Sequence, residues 1–188
     1  MQILEKKGLS CMEYRHDLVI YRIQRSAHTL KVSNQLLLDR CYADSINRSY
    51  YCAFYAINAV HASTGMGYKR HKDAIGEFNK QYVATGKIDR TIGRDLSSLE
   101  RSRNIGDYDD FRLVSKSDAE ENFKRALNVF KAVVSFLNID TIEVEIAYYV
   151  ALEDIEDFKK SVAPSMLQPG NIEMLAEQYY EHKKEKTK

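Results

Sequence analysis

Tryptophan is absent from the 188 residues, proline occurs only 2 times and glycine only 8 times. With so few of the two strongest helix breakers, there are few places where a long helix must stop. No apolar run reaches the roughly 18 residues of a membrane span, so no transmembrane helix is expected. The 3 cysteines, Cys11, Cys41 and Cys52, are odd in number and lack any C-x-x-C pairing. They read as reduced thiols that pack as small side chains. Net charge is only +1, so any basic surface must be local and no global field marks a nucleic-acid or membrane binder. The opening segment, MQILEKKGLSCMEYRHD, has no apolar centre of the kind a signal peptide needs, and the expected location is the cytoplasm. There is no Gly-rich phosphate loop, no H-E-x-x-H, no G-x-S-x-G and no dinucleotide fingerprint. The 5 histidines show no ligand spacing, so neither a metal nor a cofactor is expected.

What is present favours helices: Leu, Ala, Glu, Lys and Arg are plentiful, and there are 13 tyrosines. Leu18, Tyr21, Ile23, Ala27, Leu30, Leu37 and Leu38 predict a first amphipathic helix over 12–39. Ile46, Tyr50, Ala53, Ile57 and Val60 predict a second, with a buried stripe, stopped by the Gly65-Met66-Gly67 segment. A basic loop, YKRHK at 68–72, precedes a third helix that ends near Ala84 and Gly86. A fourth starts near Asp89 and carries Ile92, Leu96 and Leu99 toward Arg103, and a fifth, capped by Ser117 or Asp118, carries Ala119, Phe123, Ala126, Phe130, Val133 and Leu137.

Beyond residue 138, Ile142, Val144, Ile146, Tyr148, Val150 and Leu152 alternate like a strand. Asp140 with Glu143 instead makes a capping-box pattern, and helix is preferred because a lone strand beside a helical bundle has no partner. Residues 171–186 read as a short helix with a charged, solvated end. The expected architecture is all-α: an antiparallel up-and-down bundle over residues 12–138 and a helical C-terminal extension over 139–188.

Two polar groups stand out. Asn47, Tyr51, Tyr55 and Asn58 follow one another at helical spacing beside Arg48, while Tyr50 lies on the apolar stripe and is assigned to packing. The segment RSRNIGDYDD at 101–110 reads either as a charged helix end with a glycine cap or as part of a site.

Four segments resemble, in order and spacing, those of the HEPN superfamily: YADSINRSYYCAFYAINAV, KRHKDAIGEFNKQYVATGKI, LSSLERSRNIGDYDDF and AEENFKRALNVFKAVVSFL. The resemblance spans about residues 15–138 and is greatest to a small prokaryotic branch with an NRxYYxxF…KxH…R…DY pattern. It implies a helical bundle, usually a homodimer, often paired with a small nucleotidyltransferase acting as antitoxin. Many members are metal-independent ribonucleases of toxin–antitoxin or defence systems. In the family's catalytic motif, an Arg and a polar residue precede a His. Arg103 takes the Arg position, Asn104 the polar one, and Tyr108 stands where the His would be. Lys69 and His71 match the family's Lys-x-His.

Metal-free RNA cleavage needs a base for the 2′-hydroxyl, an acid for the leaving 5′-oxygen and a cation at the phosphorane. Arg103 suits the last role, because guanidinium pairs with phosphate through a planar fork. An unperturbed Tyr, with a pKa of about 10, is only about one part in a thousand ionised at pH 7, a preparation cost of roughly 4 kcal/mol for a base. Tyr108 is better suited to donate a hydrogen bond, to act as an acid or to stack on a base. Gly106 is expected to end or loosen the helix and let Tyr108 swing toward Arg103. The expected catalytic group is therefore Arg103, Tyr108 and Asp107. RNA- or nucleotide-binding groups are expected at Asn47, Arg48, Tyr51, Lys69, His71 and Asn104, with His71 as the spare acid–base group. The other reading is a non-catalytic module for dimerisation or partner binding, which the near-zero charge and the Tyr at the His position favour.

Overall fold

The computed structural model describes residues 11–108 and 114–186. Among the described residues there are eight α-helices and no strands, so the chain is all-α. They are α1 (Cys11–Leu38), α2 (Tyr42–Ser63), α3 (His71–Phe78), α4 (Arg90–Tyr108), α5 (Lys116–Leu137), α6 (Thr141–Tyr149), α7 (Ile155–Ser161) and α8 (Ile172–Lys186).

Helices α1 and α2 form an antiparallel hairpin locked by small polar contacts. Ser26 Oγ donates to the Cys52 carbonyl over 2.7 Å, and Ser33 Oγ donates to the Ser45 carbonyl over 2.9 Å. Serines and alanines along this seam let the backbones approach closely, and each buried hydroxyl has a partner, as burial requires. The α2 stripe (Ile46, Tyr50, Ala53, Ile57 and Val60) is buried as its spacing predicts, and α1, α4 and α5 pack around it. Two members of the α1 pattern are exposed: Tyr21 is 49% exposed and Leu38 is 67% exposed.

Helix α2 closes at Gly65, whose φ of +75° is open to glycine, with the Arg15 guanidinium 3.1 Å from where a Cβ would stand. Helix α3 does not run as regular α-helix to Ala84; it widens into a π turn over Asn79–Val83 before Gly86 reverses the chain. Helix α4 opens with Asp89, whose carboxylate accepts the Thr91 amide over 2.7 Å. It then continues through Gly106 to Tyr108, contrary to the expected break. Gly inside a helix costs only about 1 kcal/mol, and Ile92, Leu96 and Leu99 anchor α4 to the core.

Helix α5 is capped by Ser115, not by Ser117 or Asp118. Ser115 Oγ accepts the Asp118 amide and the Asp118 carboxylate accepts the Ser115 amide, each over 3.1 Å. Asn138 ends the helix with a φ of 53°. The segment with strand-like alternation forms α6, whose N-cap Asp140 accepts the Ile142 amide over 2.9 Å. Glu143 does not complete a capping box; it pairs with Lys159 over 2.8 Å. One face of α6 (Val144, Ala147 and Tyr148) joins the bundle core. The other face (Ile142, Ile146 and Tyr149), with Val150 just past the helix end, joins a second cluster with Ile155, Phe158, Ile172 and Leu175.

Candidate functional site

The first turns of α2, the start of α3 and the C-terminal half of α4 meet at one end of the bundle. Helix α2 supplies Asn47, Arg48, Tyr50, Tyr51 and Phe54, while α3 begins at His71 and α4 supplies Glu100, Arg103 and Asn104. This convergence follows from the buried stripe on α2. Tyr50 sits one turn beyond Asn47 on the core side, so Asn47 is carried to the rim beside α4.

Asn47 and Arg103 share a small cleft of about 150 Å³, lined also by Asp44, Ser102 and Val114. Arg103 Nη1 donates to Asn104 Oδ1 over 3.2 Å, and its guanidinium carbon lies 5.9 Å from the Tyr50 ring centroid. The Tyr50 hydroxyl in turn lies 2.8 Å from His71 Nδ1. The His71 ring stacks on Phe54 at 3.9 Å between centroids and meets Tyr51 edge-on at 5.9 Å. The Arg48 guanidinium covers the outer face of Tyr51 at 5.9 Å.

The structure thus brings together Asn47, Arg48, Tyr51, His71, Arg103 and Asn104. Lys69 is exposed two residues before His71 and makes no hydrogen bond or ion pair among the described residues. The side chains of Asp107 and Tyr108 lie outside the described residues; only their helical backbone within α4 is given. Three residues that the sequence reading left out belong to this cluster. Tyr50 was assigned to the core, yet it joins His71 to Arg103. Phe54 forms the stacking floor for His71, and Glu100, one turn before Arg103, acts electrostatically on both Tyr50 and His71. Helical spacing was the available signal, since Tyr50 and Phe54 lie three and seven positions after Asn47, and Glu100 three before Arg103.

The electrostatics follow from burial and the nearby cation. Burial pushes the Tyr50 phenol up, helped by the Glu100 carboxylate and opposed by Arg103, so Tyr50 stays protonated at neutral pH. Burial pulls His71 below its ordinary value, and Arg103 lowers it further against the pull of Glu100. A neutral imidazole held at Nδ1 by Tyr50 leaves Nε2 as its second functional atom. When Nδ1–H donates to the Tyr50 oxygen, Nε2 presents a lone pair; when the Tyr50 hydroxyl donates, Nε2 presents a proton. His61 has a different setting. It is fully buried, with Nε2 at 2.9 Å from the Ala74 carbonyl, and serves the packing of α2 on α3. Among the described residues, no group of three His, Cys, Asp or Glu side chains is placed to hold a metal ion.

A model of the HEPN domain matches residues 19–138, the bundle that carries this cluster. The chain belongs to the HEPN family. A UPF0332 protein of Thermotoga maritima is 23% identical over 122 residues, covering 65% of this HEPN chain and 92% of its own length. A UPF0332 protein of Gloeobacter violaceus is 27% identical over 116 residues, covering 61% of this chain and 92% of the relative. A Methanocaldococcus jannaschii protein bearing the name "putative toxin" is 25% identical over 113 residues, covering 60% of this chain and 77% of the relative. Among the described residues of this HEPN protein, no helix is long and apolar enough to cross a membrane.

Proposed function

We propose that this HEPN protein is a toxin-type ribonuclease that engages RNA phosphate at Arg103 and cleaves without a metal ion. The observation that carries this reading is the junction at Tyr50, which has the Arg103 guanidinium against its ring and His71 on its hydroxyl. Arg103 pairs with the non-bridging phosphate oxygens and stabilises charge as the phosphorane forms. His71, kept neutral by burial and by Arg103, takes the 2′-hydroxyl proton at Nε2. The 2′-oxygen attacks phosphorus and the P–O5′ bond breaks. The products are a 2′,3′-cyclic phosphate and a 5′-oxygen that takes a proton from solvent. In this scheme His71 performs the proton transfer that a Tyr at position 108 is poorly suited to begin. Tyr108, Asp107, Asn104, Asn47, Arg48 and Lys69 position the strand around the scissile phosphate.

The likeness to a protein that bears the name "putative toxin" supports a toxin setting for this activity. The reading includes a homodimer and a nucleotidyltransferase antitoxin, both taken from the family resemblance alone. The test is incubation of the protein with single-stranded RNA in the presence of a chelator. Cleavage with cyclic-phosphate ends is expected, falling about 100-fold or more in Arg103→Ala and in His71→Ala. Equal cleavage by wild type and Arg103→Ala would overturn the assignment. Binding without cleavage by the wild type would leave a non-catalytic binding module.

A further inference from the structure

Beyond the Arg103–His71 junction, a row of aromatic rings and guanidinium groups continues along the α1–α2 hairpin. Tyr51, which meets His71 edge-on, lies 6.2 Å from Tyr55 between ring centroids. Arg25 of α1 follows, its guanidinium carbon 5.0 Å from the Tyr55 centroid and its Nη2 donating to the Tyr55 hydroxyl over 3.1 Å. The same guanidinium lies 6.0 Å from the Tyr21 centroid and donates through Nη1 to the Tyr21 hydroxyl over 3.2 Å. Arg25 is thus held between two tyrosines, and the outer one, Tyr21, is 49% exposed.

Two features of this row need a chemical reason. Among the described residues, neither Arg25 nor Arg48 has a carboxylate partner, although charged side chains are plentiful elsewhere on the surface. Their positive charge is presented to aromatic rings and is not neutralised by a carboxylate among the described residues. The row also reaches solvent at its outer end, where Tyr21 is its exposed member. Alternating cations and aromatic rings that reach the surface are the two elements that single-stranded nucleic acid requires: the cations follow the phosphates and the rings accept the bases. A duplex hides its base faces, so such a row discriminates for unpaired strand.

We propose that Tyr21, Arg25, Tyr55 and Tyr51 form a stacking track that holds the unpaired nucleotides flanking the phosphate bound at Arg103. The proposal rests on the RNA-engaging reading above and extends it, assigning α1 as a contributor to strand binding. Helix α1 supplies Tyr21 and Arg25, neither of which belongs to the motif residues around Arg103. The track begins at His71, so the bound strand would leave the cleavage site along the hairpin instead of ending there.

The test uses the full chain and a fluorescent single-stranded RNA of mixed sequence, with binding read by anisotropy and cleavage read on the same oligonucleotide and on a dinucleotide. Tyr21→Ala is expected to weaken oligonucleotide binding about 5- to 100-fold, the range for loss of one base–aromatic stack, while Tyr21→Phe retains it. Arg25→Ala is expected to reduce the slope of log affinity against log salt by about 0.7, the value for one phosphate contact on a single strand. Dinucleotide cleavage should fall in Arg103→Ala but stay at the wild-type rate in Tyr21→Ala. Equal oligonucleotide affinity in wild type, Tyr21→Ala and Arg25→Ala, with Arg103→Ala still weakened, would overturn the track and leave the Arg103 reading standing. Absence of RNA binding by the wild type would overturn both. A change of oligomeric state in Tyr21→Ala with RNA affinity unchanged would overturn the track in favour of a contact between copies of the chain.

Discussion

The Tyr50 hydroxyl lies 2.8 Å from His71 Nδ1 while the Arg103 guanidinium packs against the same ring. Tyr50 is therefore a core residue by burial and a connector by chemistry. Tyr50→Phe keeps the ring in the core and removes only the hydrogen bond. We expect a loss of about 1 kcal/mol in stability, a fall in melting temperature of roughly 2–4 °C, and a larger fall in RNA cleavage as His71 loses its orientation. Calorimetry beside a cleavage assay separates the two effects; a variant with wild-type cleavage would remove Tyr50 from the site.

The His71 titration reports directly on its neighbours. Burial and then Arg103 hold its pKa below the ordinary value of 6.5, with Glu100 opposing. In a proton NMR titration the His71 midpoint should lie below 6.5 in the wild type and rise in Arg103→Ala. Glu100→Gln should move it the other way. A His71 midpoint that ignores Arg103 would show that the two side chains do not share an electrostatic site.

Stability should depend on pH in a definite direction. His28, His61 and His71 all have folded pKa values lowered from 6.5, chiefly by burial. The unfolded chain binds protons more readily at these groups, so stability is complete above about pH 6.5 and falls as pH drops through the folded values. The melting temperature is expected to be level between about pH 7 and 8 and to fall between about pH 6.5 and 5. His61→Gln, which retains a donor for the Ala74 carbonyl, should flatten part of that slope. A melting temperature that rises on acidification across this window would contradict the assignment of neutral buried histidines.

Gly93 tests the packing of α4 against the π turn. A Cβ there would lie 2.9 Å from Asn79 Oδ1 and 3.1 Å from Val83 Cγ1, closer than the turn can accept without shifting. Gly93→Ala is expected to cost roughly 1–3 kcal/mol despite the better helix propensity of alanine. Gly76→Ala is the control, since a Cβ at Gly76 meets nothing within 4 Å, and there the same change should stabilise by about 0.5–1 kcal/mol. Chemical denaturation of the two variants should move the midpoints in opposite directions.

The helices were legible in the sequence where one face is apolar and the other polar. The α2 stripe and the α5 stripe follow their spacing closely, because burial on one side imposes a single period. The ends of elements were less legible. Ser115 won the α5 cap because its capping box with Asp118 satisfies two amides at once, a geometry that one more Ser and Asp nearby could mimic in sequence. The helical course through Gly106 was hidden because a glycine's cost is small against the anchoring of the preceding turns. At the site, the motif residues Asn47, Arg103 and His71 could be named from sequence, but Tyr50 could not be assigned beyond packing. A tyrosine on a buried stripe carries no sequence signal for what its hydroxyl meets, and that partner comes from α3, beyond a loop.

Helix α6 is apolar on both faces, and this explains why its sequence alternated like a strand as plausibly as it turned like a helix. The same property has a thermodynamic consequence. Because Ala147 belongs to one cluster and Ile146 to the other, neither cluster can be solvated without stripping a face of the same nine-residue helix. The C-terminal helices and the bundle are coupled through that shared element, so the chain is expected to melt in one cooperative step, with calorimetric and van't Hoff enthalpies that agree.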